Sequence, residues 1–170
     1  MSISNRFSFK GKSITEKVLT AGLALCLLSL LAVYLNGRYK LAVQYDYSVN
    51  FLLGILDTRQ KEIGKNDYFA FYFLAVKGDA RYGEHFVKRL ACGEGEYLEA
   101  RGRDFYCNGT YIGTVKQHSK KGRALYPFGY AGPIPSGSLF AVGDTKDSYD
   151  SKIWGFVDKG WIIGRVTKLI

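Results

Sequence analysis

The sequence predicts a mainly β protein, in which one N-terminal transmembrane helix precedes a single antiparallel β domain. Residues 18–35 read VLTAGLALCLLSLLAVYL, without a charge. Beyond Gly37 the apolar residues fall in short alternating or aromatic runs cut by glycine turns. The chain is 47% apolar and 15% aromatic, which excludes disorder, and with only three prolines its bends fall to glycine.

As a helix, residues 18–35 span roughly 27 Å, close to the hydrocarbon thickness of a bilayer. Their only hydroxyls, Thr20 and Ser29, can bond back to the helix backbone. A buried core helix would show a polar face, and this segment has none. A cleaved signal peptide has a shorter apolar region and a small-x-small exit. Here the exit is Tyr34-Leu35-Asn36-Gly37-Arg38, which predicts a retained anchor. Before the span, Arg6, Lys10, Lys12 and Lys17 stand against Glu16; after it, Arg38 and Lys40 are the only cations before Arg59. Positive residues stay inside, so the expected layout is a cytoplasmic basic arm (1–17), an anchor (18–35) and a β domain outside (36–170). In a bacterium that domain is periplasmic and the anchor lies in the inner membrane.

Within the domain, strands are expected at Asp67–Val76, His85–Ala91, Glu96–Ala100, Asp104–Tyr106, Tyr111–Val115, Leu139–Val142 and Trp161–Lys168. Asn108-Gly109 is the strongest hairpin signal, because a two-residue turn of primed type needs positive φ at both positions. Residues 116–137 hold all three prolines and the basic run Lys116–Arg123, and are expected to form a long exposed loop. Cys92 and Cys107 lie on either side of the Glu96–Asp104 stretch. An oxidising compartment would pair them; two buried free thiols are the alternative.

The formal charge of +9 suggests nucleic acid or an anionic surface. The arm holds a net +3 of it, and the rest is spread thinly. The one tight cluster, Lys116, Lys120, Lys121 and Arg123, reads as a solvated loop, so no nucleic-acid partner is expected. Two histidines 33 residues apart argue against a multi-histidine metal site, and no metal or cofactor is expected. His85 and His118 are also the only candidates for a Ser-His-Asp triad, and nothing in the sequence marks either as a base.

The informative segment is Gly143-Asp144-Thr145-Lys146-Asp147-Ser148-Tyr149-Asp150-Ser151-Lys152. It concentrates short hydrogen-bonding side chains between a strand and Trp154-Gly155, as a self-bonded turn would. With Val157, Ile163, Gly164 and Arg165 it resembles the C-terminal signature of type I signal peptidases, although Lys152 stands for an arginine and the segment is one residue shorter before the serine. Phe86-Val87-Lys88-Arg89-Leu90-Ala91-Cys92-Gly93 resembles the lysine box of that family, with a proline and an aspartate altered further on. Size, single anchor and box order are most similar to the TraF-type peptidases of conjugal transfer.

The resemblance implies a serine nucleophile with lysine as its general base. It assigns Lys88 as that base, Ser148 as the hydroxyl orienting the amine, and Asp144 and Asp150 as supports, with Lys146 or Lys152 as ion-pair partners. A lysine near its ordinary pKa is neutral in less than about one part in a thousand at pH 7, so it must be desolvated. Phe86 and Leu90, at even spacing from Lys88, supply an apolar face. The nucleophile's place falls on Ser48, the only serine or threonine between Ser29 and Thr58, or in another register on Gln44, which would leave the protein inactive. The implied function is removal of signal or leader peptides from exported proteins, a conjugative pilin subunit in the TraF reading, with pilin cyclisation assisted by an acid such as Asp150. The alternative is an inactive peptidase-fold component of a conjugation or secretion apparatus.

Overall fold

The computed structural model describes residues 13–170. Arg6, Lys10 and Lys12 of the basic arm therefore lie outside the described residues. The chain divides into two compact units, Met1–Gly37 and Arg38–Ile170.

In the first unit the apolar run forms α1, Ile14–Arg38, a 25-residue helix about 37 Å long with no buried residue. It is long and apolar enough to cross a membrane. Its start is capped, with the Ser13 backbone N–H donating to the Glu16 carboxylate at 3.0 Å, half of a capping box. The Thr20 and Ser29 hydroxyls donate back to the carbonyls of Lys17 and Leu25, which removes their cost in an apolar setting. The helix runs a turn beyond residues 18–35 at its start because Ile14, Thr15, Glu16 and Lys17 satisfy the cap and first turn.

The second unit is two antiparallel sheets. Its strands are β1 (Tyr39–Val43), β2 (Leu53–Asp57), β3 (Tyr68–Tyr72), β4 (His85–Cys92), β5 (Tyr97–Arg101), β6 (Asp104–Cys107), β7 (Thr110–Thr114), β8 (Ala131–Pro133), β9 (Ser138–Val142), β10 (Val157–Asp158) and β11 (Ile162–Lys168). A short helix, α2 (Ser151–Trp154), follows β9. The larger sheet has the order β1-β2-β11-β3-β4-β9-β10 and the smaller β7-β6-β5-β8.

The reasons are local. β3, YFAFY, is an unbroken apolar run because it lies between β11 and β4 with Phe69, Ala70 and Phe71 all buried. β6 and β7 join through Asn108-Gly109, whose φ values of 49° and 77° are the two positive angles the hairpin needs. The two sheets meet where Phe105 of β6 stacks on Phe140 of β9 at 5.5 Å, and where Cys92 at the end of β4 is disulfide-bonded to Cys107 at the end of β6.

Residues 116–137 are not all loop. Within them β8 pairs with β5, and Ile134 is buried. Pro133 is tolerated because β8 is the edge of the smaller sheet. The run from Asp67 stops pairing as β3 at Tyr72, where Phe73 turns to bond Gly83 and Glu84. Trp161 ends a 3-10 turn, Lys159–Trp161, so β11 begins at Ile162.

Candidate active site

Three segments converge on Lys88. It lies in β4, opposite Phe69 of β3, and is 1% exposed. Phe86, two residues earlier, sets its ring 5.2 Å from the amine. On the other side of β4, Arg89 pairs with Val142 of β9, so the chain leaving β9 passes Lys88.

The second segment is the loop 44–52 between β1 and β2. Gln44 N–H donates to the Leu52 carbonyl and closes it. Val49 and Phe51 plug into the core at 4% and 7% exposure, while Tyr45 and Tyr47 stay in solvent. The plugs turn Ser48 inward, and it is 3% exposed. Its carbonyl accepts the Asp144 N–H at 2.8 Å, tying the loop to the end of β9. Tyr47 has φ 51°, a left-handed conformation costing of order 1–3 kcal/mol in a residue with a Cβ, immediately before the buried serine.

The outcome is a contact of 2.6 Å between Lys88 Nζ and Ser48 Oγ. The Asp46 carboxylate is 3.7 Å from the same amine. Burial pushes the Lys88 pKa below its ordinary value; the charges of Asp46 and Asp150 pull the other way, and Lys152 reinforces the burial. Desolvation prevails because a 1%-exposed ammonium has lost nearly all its water, whereas the Asp46 side chain is 62% exposed and its attraction is screened. A lysine brought toward neutrality and in hydrogen-bond reach of a buried hydroxyl can take its proton. Gln44, the other register for the nucleophile, sits at the loop's closing bond instead.

The third segment is the box after β9. Asp150 is fully buried and accepts the Gly143 N–H at 2.9 Å, the Lys152 N–H at 3.1 Å and the Lys152 ammonium at 2.6 Å. It also caps α2. Ser151 Oγ accepts the Ala141 N–H, fastening the box to β9. Asp144 accepts from Asn50 N–H, Tyr68 hydroxyl and Arg89 Nε at 2.9, 2.7 and 3.1 Å, so it joins loop, β3 and β4. Burial, then the bond to the Asp144 carboxylate, pushes the Tyr68 hydroxyl up to about 12. Gly143 has no room for a side chain: a Cβ there would lie 2.1 Å from Ser148 Oγ and 2.5 Å from the Ser48 carbonyl oxygen.

One expectation about the box needs correction. Ser148 does not bond Lys88: its buried Oγ has no hydrogen-bond partner among the described residues, because the amine is turned to Ser48 and Asp46. Of the two expected ion-pair partners, Lys152 takes the role and Lys146 does not. Its exposed position leaves Lys152 to pair with Asp150 and Arg89 with Asp144. Arg89, Tyr68 and Asp46 were missed by sequence reasoning. Arg89 had a signal, being adjacent to Lys88 in the lysine box; Tyr68 and Asp46 join the site through strand register and a turn that no local pattern announces.

His85 packs edge-on against Tyr72 and His118 bridges to Ala124 in the basic loop. A cleft of about 710 Å³ opens beside the site, lined by Asn50, Arg89, Asp144 and Lys152 and by Tyr111–Thr114 of β7. Cys92 and Cys107, with Glu96, group three side chains of metal-ligating kinds, but both sulfurs are taken by the disulfide.

No curated protein matches the chain significantly. Among solved structures, a signal peptidase I from Enterococcus faecalis V583 is 26% identical, over 64% of this chain and 99% of that one, with a TM-score of 0.43. The family described as "Signal peptidase, peptidase S26" matches residues 16–170, nearly the whole sequence, and the chain belongs to it.

Proposed function

We propose that the chain is a membrane-anchored serine endopeptidase in which Ser48 is the nucleophile and Lys88 the general base, removing signal or leader segments from exported proteins. The observation that carries this is the 2.6 Å contact between a 1%-exposed lysine and a 3%-exposed serine at the end of a strained turn. Neutral Lys88 accepts the Ser48 proton as Oγ attacks the scissile carbonyl. The resulting ammonium returns that proton to the leaving amine, and water then hydrolyses the acyl-serine with Lys88 again taking a proton. Burial serves both halves of the cycle, since a lysine with a lowered pKa is a competent base at neutral pH and a better acid afterwards.

Asp144 and Asp150 act through others. Asp144 links the nucleophile loop to β4, and Asp150, with no exposure, holds Gly143 and Lys152 rather than meeting a substrate end. This argues against Asp150 as a direct participant in ring closure. We read α1 as a single-pass anchor in the bacterial inner membrane, N-terminus inside, supported by the cation bias across it. The substrate class is exported preproteins; a conjugative pilin subunit is the finer reading, resting on the TraF-like order of the boxes.

Processing of a co-expressed exported precursor tests this. Ser48→Ala and Lys88→Ala variants that reach the membrane folded leave the precursor uncut. Full processing by either removes the dyad, and a wild-type chain that leaves the precursor intact while co-purifying with it favours the inactive component instead.

A further inference from the structure

Asp46 has no part in the mechanism above, yet it touches both groups that the mechanism needs. Its Oδ1 accepts the Ser48 backbone N–H at 3.1 Å, and its Oδ2 lies 3.7 Å from Lys88 Nζ. The left-handed turn at Tyr47 brings the carboxylate back over its own serine. A nucleophile's backbone N–H is a donor that acyl-transfer enzymes turn toward the carbonyl oxygen as it gains charge. In the resting site that donor is occupied, and the base faces an anion.

We propose that Asp46 is a positioning residue that latches the resting site: it occupies the Ser48 N–H and stands against the Lys88 amine as an opposing charge, and an entering acyl group displaces it from both. The proposal rests on the dyad reading and adds regulation to it.

The charges that face the amine support this. Asp150 and Lys152 face it from the box, and they neutralise each other at 2.6 Å. Phe86 faces it from β4 as an uncharged ring. Asp46, from the loop, is the unbalanced charge among the described residues. Toward Asp46 itself the charged group is Lys88; burial raises the carboxyl's pKa, but the lysine and the Ser48 N–H outweigh this and leave it lowered, so it is anionic at neutral pH. Because its side chain is already 62% exposed, water can take over its bonds when it swings out, and the displacement is cheap.

The test is the pH dependence of precursor-peptide cleavage by the full chain in detergent, as kcat/KM for the free enzyme and kcat for the complex. In the wild type the acidic limb of kcat lies below that of kcat/KM, since substrate binding removes the anion that favours charged Lys88. In Asp46→Asn the kcat/KM limb falls by about one pH unit, the effect of deleting an opposite charge at ion-pair distance from a lysine. The two limbs then coincide, and Asp46→Glu restores the separation. Coincident limbs in the wild type, or an unmoved limb in Asp46→Asn, overturn the latch. Retained cleavage by Ser48→Ala would instead overturn the dyad. Titration of the Lys88 side chain by NMR in a Ser48→Ala background needs no turnover: adding Asp46→Asn lowers its midpoint, and an unchanged midpoint refutes the proposal.

Discussion

The two segments that converge on Lys88 are held in opposite ways. The box from Gly143 to Lys152 is fastened by buried, mutually satisfied charges and by the Ser151 hydroxyl, which accepts a backbone N–H of β9. The loop from Gln44 to Leu52 is fastened by two apolar plugs and by bonds to Asp144, with exposed tyrosines and a strained residue at its turn. The difference divides the labour. The box and β4 fix where Lys88 stands, and the loop carries Ser48 to it.

The comparison can be broken most severely from the box side. Lys152→Ala leaves Asp150 buried without a counter-charge, and such a break costs about 3–5 kcal/mol. Chemical denaturation should show that loss, and a fall below 1 kcal/mol would mean that the box is softer than its bonds indicate. The tie between the sheets comes next. Replacing Cys92 and Cys107 by serine removes a cross-link between residues 15 apart and costs about 3 kcal/mol on the chain-entropy model. The same variant compared with reduced wild type checks that the effect is the bond itself.

Gly143→Ala probes the junction of the two segments. Its Cβ would meet Ser148 Oγ and the Ser48 carbonyl, and overpacking of this kind costs about 1–3 kcal/mol. Because the clash pushes on Ser48, cleavage should fall by more than stability accounts for; unchanged cleavage would show that the nucleophile does not depend on this approach. Tyr47→Gly has the smallest effect. Glycine relieves the left-handed strain of about 1–3 kcal/mol but adds freedom to the unfolded chain worth about 0.5–1 kcal/mol, so stability is unchanged or rises modestly. Cleavage changes without a matching change in the melting temperature, because the turn positions Ser48 rather than supporting the core.

Lys88 adds a dependence on pH. Its folded-state pKa is lowered by burial, so between that value and the ordinary lysine value the unfolded chain binds more protons than the folded one. Stability therefore rises with pH through this window. Lys88→Met flattens that slope in denaturation measured across alkaline pH, and an unchanged slope would mean that the lysine is not desolvated.

The box side was also the more legible in the sequence. Gly143, Asp144, Asp150 and Ser151 fill a contiguous motif because their bonds are local, and Lys88 sits in a strand whose alternation is visible. Asn108-Gly109 gave the hairpin for the same reason. What stayed hidden was non-local. β8 is only three residues and is held by partners in β5, and β1 and β2 are short strands that flank the loop carrying Ser48. Ser48 reaches Lys88 across 40 residues of chain through the core plugs Val49 and Phe51. Ser148 shows the opposite limit: its place in the motif was clear, but the direction of its hydroxyl is a matter of packing that no spacing encodes.

The most direct test of the Ser48–Lys88 pair is covalent labelling. The full chain is incubated with an activated acyl-peptide ester, and the acylated residue is mapped by mass spectrometry as a function of pH. The account predicts one acyl group on Ser48, appearing as pH rises through the lowered Lys88 pKa and absent in Lys88→Ala. Acylation at another residue, or equal labelling of Ser48 without Lys88, would contradict it.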